Sequence, residues 1–321
     1  MPLDPDLEGF LELAELGRMT GKSQPMHHLS VSQAREEFER SSQILDPSPP
    51  AALEVVVHSL DTRDGACIEA RLYRAAGTGE RALPCILYLH GGGYVVGSLD
   101  SHDSICRRLA ADGEFAVLAP AYRLAPEQRF PVAVNDAQDS AEWLHAHAES
   151  LGLDPQRLIV AGDSAGATLA TVLAISAACA PQAQGFAPCA QLLFYPVADV
   201  AQTRPSHQRF DEGYLLESDT LEWFYQHYLG EPAQRHDWRV SPLRAESLPV
   251  LAPAYLSLAE YDPLHDEGLA YAEHLRASGT PLTLVTQHGL THDFLRMSGI
   301  TGQVEGIYRT VGEWLRAQLN S

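Results

Sequence analysis

Short apolar runs alternate with helical segments over most of this chain, and no other feature of the sequence restricts its fold as much. The runs at 85–89, 115–120, 158–161, 191–195, 254–258 and 282–287 read as strands, and 85–89, apolar throughout and ending in glycines, as one that is buried. Between them lie segments of helical period: around 102–111, 134–148 (Ala137, Ala141, Leu144 and Ala148 on one side), 165–180 and 266–277. The last segment carries Val304, Ile307, Val311, Trp314 and Leu315. Parallel strands need a crossover between them, so the alternation predicts an α/β fold, a mostly parallel sheet covered by helices on both faces. Ahead of it, 54–59 and 67–74 flank Asp61-Thr62-Arg63-Asp64-Gly65, whose Asp-Gly predicts a hairpin.

Two stretches break the pattern. Residues 1–50 are polar, with Leu7, Phe10, Leu11 and Ala14 at steps of three and four, and end in the breaker run Asp46-Pro47-Ser48-Pro49-Pro50; they read as a lid or an arm. Residues 199–245 are rich in aromatic and polar side chains and read as an insertion. With 42 acidic against 22 basic side chains and a formal charge of −20, the chain lacks the clustered Lys and Arg that nucleic-acid binding requires. Cys67, Cys85, Cys106, Cys179 and Cys189 are odd in number and form no C-x-x-C pair, which speaks against a disulfide framework and a zinc knuckle. The N-terminus is acidic, unlike a secretory signal, and the apolar stretch 165–180 is shorter than the ~20 residues of a membrane span. A cytoplasmic protein is the default expectation.

In open parallel sheets, ligands sit beyond the carboxyl ends of the strands. The residues there include Gly162-Asp163-Ser164-Ala165-Gly166, directly between an apolar strand and an apolar helix. A tight strand-to-helix turn needs small neighbours and lifts the serine hydroxyl clear of the sheet, the geometry of a nucleophile elbow. That hydroxyl is inert until a base takes its proton, and the base must be oriented by a carboxylate. Asp262, in Glu260-Tyr261-Asp262-Pro263-Leu264, and His292, in His288-Gly289-Leu290-Thr291-His292-Asp293-Phe294, follow later strands in the order Ser, Asp, His. A developing oxyanion needs preorganised N–H donors. Gly92 and Gly93, in His90-Gly91-Gly92-Gly93-Tyr94, and Ala165 at the start of its helix are the candidates.

The sequence resembles the hormone-sensitive-lipase-like (family IV) carboxylesterases of the α/β-hydrolase fold. His90-Gly91-Gly92-Gly93, Tyr122-Arg123-Leu124-Ala125-Pro126-Glu127, the Gly162–Gly166 turn, Asp262-Pro263-Leu264 and His292 carry the resemblance, which spans about 53–320. It implies a catalytic domain of 51–198 and 246–321, with a helical cap from 1–50 and 199–245. It also implies hydrolysis of small, rather hydrophobic esters with short or medium acyl chains through an acyl-enzyme, and no cofactor. Ala167 and Asp293 stand where many members carry glycine. His292 is expected to titrate near the reference imidazole value, so that activity rises around pH ~6–7.

Blander readings compete at several positions. His288, His265 and His274 rival His292; the resemblance makes His288 structural. His288 and His292 are spaced as zinc ligands on a helix would be, but Gly289 argues against a helix and no third ligand is apparent, so no metal is expected. Glu260 and Asp266 rival Asp262, with Asp266 better read as a helix N-cap. Asp163 reads as a brace for the turn. Tyr214, Trp223, Phe224, Tyr225 and Tyr228 read as the packed side of a cap helix, with a contribution to the acyl or alcohol pocket as the second reading, and Tyr94, Tyr122 and Tyr195 as pocket neighbours. The expected partner is a small-molecule ester, with no nucleic acid and no stable membrane insertion, and a homodimer stays open. An amidase or peptidase on the same scaffold, or a small-molecule receptor with a hydrolase fold, remain alternatives; the presence of all three catalytic groups favours an enzyme.

Overall fold

The run Leu83–Leu89 is buried at every residue, as a strand covered on both faces must be, and the rest of the sheet builds outward from it. The computed structural model describes residues 1–78, 81–181 and 185–320. Its strands are β1 (Leu53–Asp61), β2 (Cys67–Ala75), β3 (Leu83–Leu89), β4 (Ala116–Pro120), β5 (Leu153–Asp163), β6 (Ala190–Phe194), β7 (Ala254–Tyr261) and β8 (Leu282–Thr291). They form one sheet in the order β1-β2-β4-β3-β5-β6-β7-β8. The expected hairpin joins β1 and β2, β2 pairs antiparallel with β4, and the remaining pairs are parallel.

Helices α1 (Pro5–Met19) and α2 (Val31–Leu45) precede the sheet; α3 (Asp103–Ala110), α4 (Val132–His147) and α5 (Ala165–Cys179) lie within its first half. Then come α6 (Pro205–Arg209), α7 (Ser218–Tyr228), α8 (His265–Ala277) and α9 (Gln303–Leu319). Two apolar cores result, as a sheet with two covered faces requires. Val134, Ala137 and Leu144 of α4, Leu169 and Leu173 of α5, and Tyr271 and Leu275 of α8 belong to one. Ile105 and Leu109 of α3 and Ile307, Val311 and Leu315 of α9 belong to the other. Helix α5 is buried on nearly all sides, which explains its unbroken apolar sequence.

Asp4 caps α1 by accepting from the N–H groups of Asp6 (3.1 Å) and Leu7 (3.2 Å), and Ser30 with Gln33 forms a capping box on α2. Arg35 of α2 donates to Val95 O (2.9 Å), Ala125 O (2.9 Å) and Glu127 (2.7 Å), tying this segment to the loops after β3 and β4. Arg18 of α1 bonds Glu217 at the start of α7, joining the first 50 residues to the insertion. The expected N-cap role of Asp266 is corrected: α8 begins at His265 after Leu264, and Asp266 Oδ2 instead accepts from Ser206 N (2.9 Å). The neighbouring α6 offers that N–H, a partner invisible to local sequence. Among the described residues no helix is long and apolar enough to cross a membrane.

Candidate active site

The turn after β5 is as tight as its glycines imply. A Cβ on Gly166 would lie 1.9 Å from Leu89 O, so helix α5 reaches the end of β3 only because that atom is missing. Ser164 between them has φ 52° and ψ −121°, a conformation rarely open to a side chain, and its N–H is held by Phe194 O at 2.9 Å. Strain of this kind persists only where the surroundings over-determine it; here β3, β6 and α5 all do.

Strands β7 and β8 run farther than their apolar runs suggest. Past a bulge between Ala259 and Tyr261, Tyr261 pairs with Thr291, so the next residues, Asp262 and His292, leave the sheet side by side. His292 Nδ1 lies 2.7 Å from Asp262 Oδ2, and His292 Nε2 lies 2.9 Å from Ser164 Oγ. The other Asp262 oxygen accepts from Leu264 N at 2.8 Å, which fixes the plane of the carboxylate. With Nδ1 donating to Asp262, Nε2 is left as an acceptor for the serine proton. All three side chains are buried. Burial presses the His292 pKa down, but the charge and hydrogen bond of Asp262, joined by Asp293 and Asp163, more than offset it. The net shift is upward, which corrects the expectation of an ordinary imidazole value.

The rivals are occupied elsewhere. His288 is half exposed and faces Glu260 at 3.1 Å; Glu260 also accepts from Gly289 N and from the N-terminal amine. His265 Nδ1 bonds Ala259 O at 2.7 Å, and His274 sits on α8. Among the described residues no cluster of three or more His, Cys, Asp or Glu side chains has the arrangement of a metal site.

The loop after β3 places Gly92 and Gly93 on the same cavity as Ser164 and His292. The N–H groups of Gly92, Gly93 and Ala165 donate to no acceptor among the described residues, so they are free for a ligand oxygen. Asp163 braces this loop against the turn. Its Oδ1 accepts from Gly91 N (3.0 Å) and Tyr88 Oη (2.7 Å), and its Oδ2 lies 3.4 Å from His102 Nε2. Burial would raise the Asp163 pKa, but His102 and Tyr88 hold it below the usual carboxylate value. His90 is pushed down to about 3, first by burial and then by His102, so it stays neutral and bonds Gly91 O at 2.7 Å.

The cavity has a volume of about 240 Å³ and draws its walls from distant parts of the chain. Phe10, Met26, Phe38 and Leu45 come from the first 50 residues; Leu215, Leu216, Leu221, Phe224 and Tyr225 come from the insertion. Phe224 and Tyr225 therefore shape the pocket, the reading the sequence placed second to packing; their helical period showed a buried face without showing what it covers. Of the three tyrosines expected nearby, Tyr94 lines the cavity, Tyr195 packs its ring 4.6 Å from that of His292, and Tyr122 stacks on His90 instead. Sequence reasoning missed Arg18 and Arg296, both on the cavity wall. For Arg296 the only local signal was Asp293, three residues before it and out of step with the glycine of the resembled family.

A largely parallel sheet that delivers a serine through a strained turn to a histidine and an aspartate on its last two strands defines the class of α/β hydrolases. The chain belongs to that family: the alpha/beta hydrolase fold model matches residues 86–296. It is 49% identical over 314 residues to the ethyl acetate hydrolase of Pseudomonas putida, covering 97% of this chain and 98% of that one. It is 42% identical over 260 residues to the carboxylic ester hydrolase LipN of Mycobacterium tuberculosis, covering 80% and 68%. Among solved structures, the hyperthermophilic esterase of the archaeon Pyrobaculum calidifontis superposes with a TM-score of 0.91 at 36% identity over 100% of both chains. An ester hydrolase from the metagenome of Lake Arreo gives 0.92 at 33% identity, over 99% of this chain and 100% of that one.

Proposed function

We propose that this protein is a carboxylic ester hydrolase that works through an acyl-serine intermediate. Ser164 Oγ attacks the ester carbonyl carbon while its proton passes to His292 Nε2, and the carbonyl oxygen, now negative, is held by the N–H groups of Gly92, Gly93 and Ala165. The tetrahedral adduct collapses as the imidazolium returns that proton to the departing alcohol. Water then repeats the sequence: His292 takes its proton, the hydroxide oxygen bonds the acyl carbon, and the carboxylic acid leaves with Ser164 restored. Asp262 keeps the imidazole in the tautomer that presents Nε2 and balances its charge when protonated.

The single observation that carries this reading is the unbroken row from Asp262 through His292 to Ser164, at 2.7 and 2.9 Å, ending on a strained serine. The similarity to named ester hydrolases supports the same reaction. Segments 1–50 and 199–245 act as the cap, because they supply most of the cavity's apolar wall, and a wall of this kind favours small, neutral esters with short or medium acyl chains. The five cysteines are unpaired, Cys67 and Cys179 exposed among them, which suits a reducing compartment such as the cytoplasm. Incubation with a fluorophosphonate should label Ser164, as read by mass spectrometry, and Ser164→Ala should neither label nor hydrolyse p-nitrophenyl butyrate. Turnover at the parent rate by that variant would overturn the assignment.

A further inference from the structure

Beside its aliphatic and aromatic walls, the catalytic cavity has few polar side chains, and most are already spent. Arg18 is taken by Glu217. Arg296, almost wholly buried, donates to Asp293 Oδ2 (2.6 Å), Phe38 O (3.2 Å), Ser41 Oγ (3.3 Å) and Ser42 Oγ, and its guanidinium lies 3.9 Å from the centre of the Phe38 ring. Ser41 donates to Phe38 O (2.8 Å), and Thr220 is bonded to His27 (3.0 Å). Asp163 is held by Tyr88 and Gly91. The hydroxyls of Tyr94 and Tyr225 and the Nε of Arg296 have no partner among the described residues, but all three atoms are buried.

Asp293 is different. Its Oδ1 accepts from no donor among the described residues, yet the side chain is not sealed: it is 23% exposed and lines the cavity immediately after His292. Burial raises its pKa despite Arg296, as expected of a carboxylate short of donors. Its φ of 69° is a conformation that glycine adopts without strain and that aspartate and asparagine visit more readily than other side chains.

We propose that Asp293 Oδ1 is a specificity element that accepts a hydrogen bond from a hydroxyl group on the substrate, selecting hydroxy esters over their unsubstituted counterparts. This rests on the ester-hydrolase reading above. The cavity sets the donor's character: Asp293 itself disfavours a carboxylate, an ammonium group would have to leave water for a mostly apolar wall, and a neutral hydroxyl meets neither objection. A hydroxyl on the acyl chain or on the alcohol would satisfy the same oxygen.

The test measures kcat/KM for ethyl 3-hydroxybutyrate and 2-hydroxyethyl butyrate, each relative to ethyl butyrate and corrected for its alkaline hydrolysis rate. The ratio removes any general loss of activity from a change beside His292. The parent should favour at least one hydroxy ester by about tenfold, the range of a hydrogen bond to a charged group. Asp293→Gly, which suits the backbone, should bring that ratio to about one. Asp293→Asn tolerates the same φ and keeps an acceptor without the charge, so it should fall between, and it serves if the glycine variant does not fold. Equal rates for all three esters in the parent, or an unchanged preference in either variant, would overturn the proposal. A parent inactive on every ester would overturn the ester-hydrolase reading and this one with it.

Discussion

Replacing Asp262 by asparagine changes one atom and should nearly abolish turnover. Asp262 uses both oxygens: Oδ1 accepts from Leu264 N at 2.8 Å and Oδ2 faces His292 Nδ1 at 2.7 Å. An asparagine that keeps its carbonyl on the Leu264 N–H must turn its amide donor toward Nδ1. That forces the proton onto Nε2, so the imidazole becomes a donor to Ser164 Oγ and has no lone pair to accept from it. Wrong-tautomer losses of this kind reach about 10⁴ in kcat, or about 5.5 kcal/mol of transition-state stabilisation. The same change removes the carboxylate that does most to hold the His292 pKa up, leaving only Asp293 and Asp163 to oppose burial. The residual activity should therefore keep its plateau to lower pH than the parent, whose acidic limb lies above the ordinary imidazole value. The assay is kcat/KM for p-nitrophenyl butyrate from pH 5 to 9, normalised to fluorophosphonate-titrated sites and with circular dichroism to confirm folding. A folded variant that loses less than about tenfold, or whose acidic limb stays at the parent's position, would refute the argument.

Two other outcomes follow from distances in the structure. Gly93 has φ 58°, and a Cβ there would lie 2.2 Å from Phe224 Cγ, so Gly93→Ala should displace the loop proposed to hold the oxyanion and cost about 10²–10³ in kcat. Adding Phe224→Ala should return part of that rate in steady-state assays, and no recovery would mean that the ring is not the obstacle. Glu267, on α8, is fully buried, and burial pushes its pKa up to about 8, although Ala198 N and Asp199 N donate to Oε1 at 2.7 and 3.4 Å. Between the ordinary value of 4.5 and 8 the folded protein keeps a proton that the unfolded chain releases, so this group's contribution to stability falls as pH rises through that window. Glu267→Gln should accordingly show a smaller decline in Tm from pH 5 to 8 than the parent, and parallel Tm curves would contradict the assignment.

The order of elements was legible because it is written in local periodicity. A run such as 85–89 is apolar on both faces wherever it lies, and 304–315 has one apolar side whatever it packs on. Ser164 was legible for the same reason: a turn of small residues between a strand and a helix is a short-range signal. Asp262 and His292 were harder, since the choice among nearby acids and histidines depends on where β7 and β8 stop. The apolar patterns end at 258 and 287, but the ladder continues through Tyr261 and Thr291 because each strand supplies the other's hydrogen-bond partners past a bulge. Order along the chain and resemblance pointed to Asp262 and His292, and pairing set their positions.

The sequence by itself thus determined the layered α/β architecture, the glycine-dependent turns and the order of serine, acid and histidine, all properties of a few neighbouring residues. Only the tertiary structure decided which faces of the first 50 residues and of the insertion close the cavity, why Phe224 is a wall rather than filler, and that Arg296 takes one Asp293 oxygen and leaves the other open. These depend on contacts between side chains hundreds of positions apart, such as Arg296 with Ser42, and nothing in the periodicity of one segment encodes which distant segment will cover it.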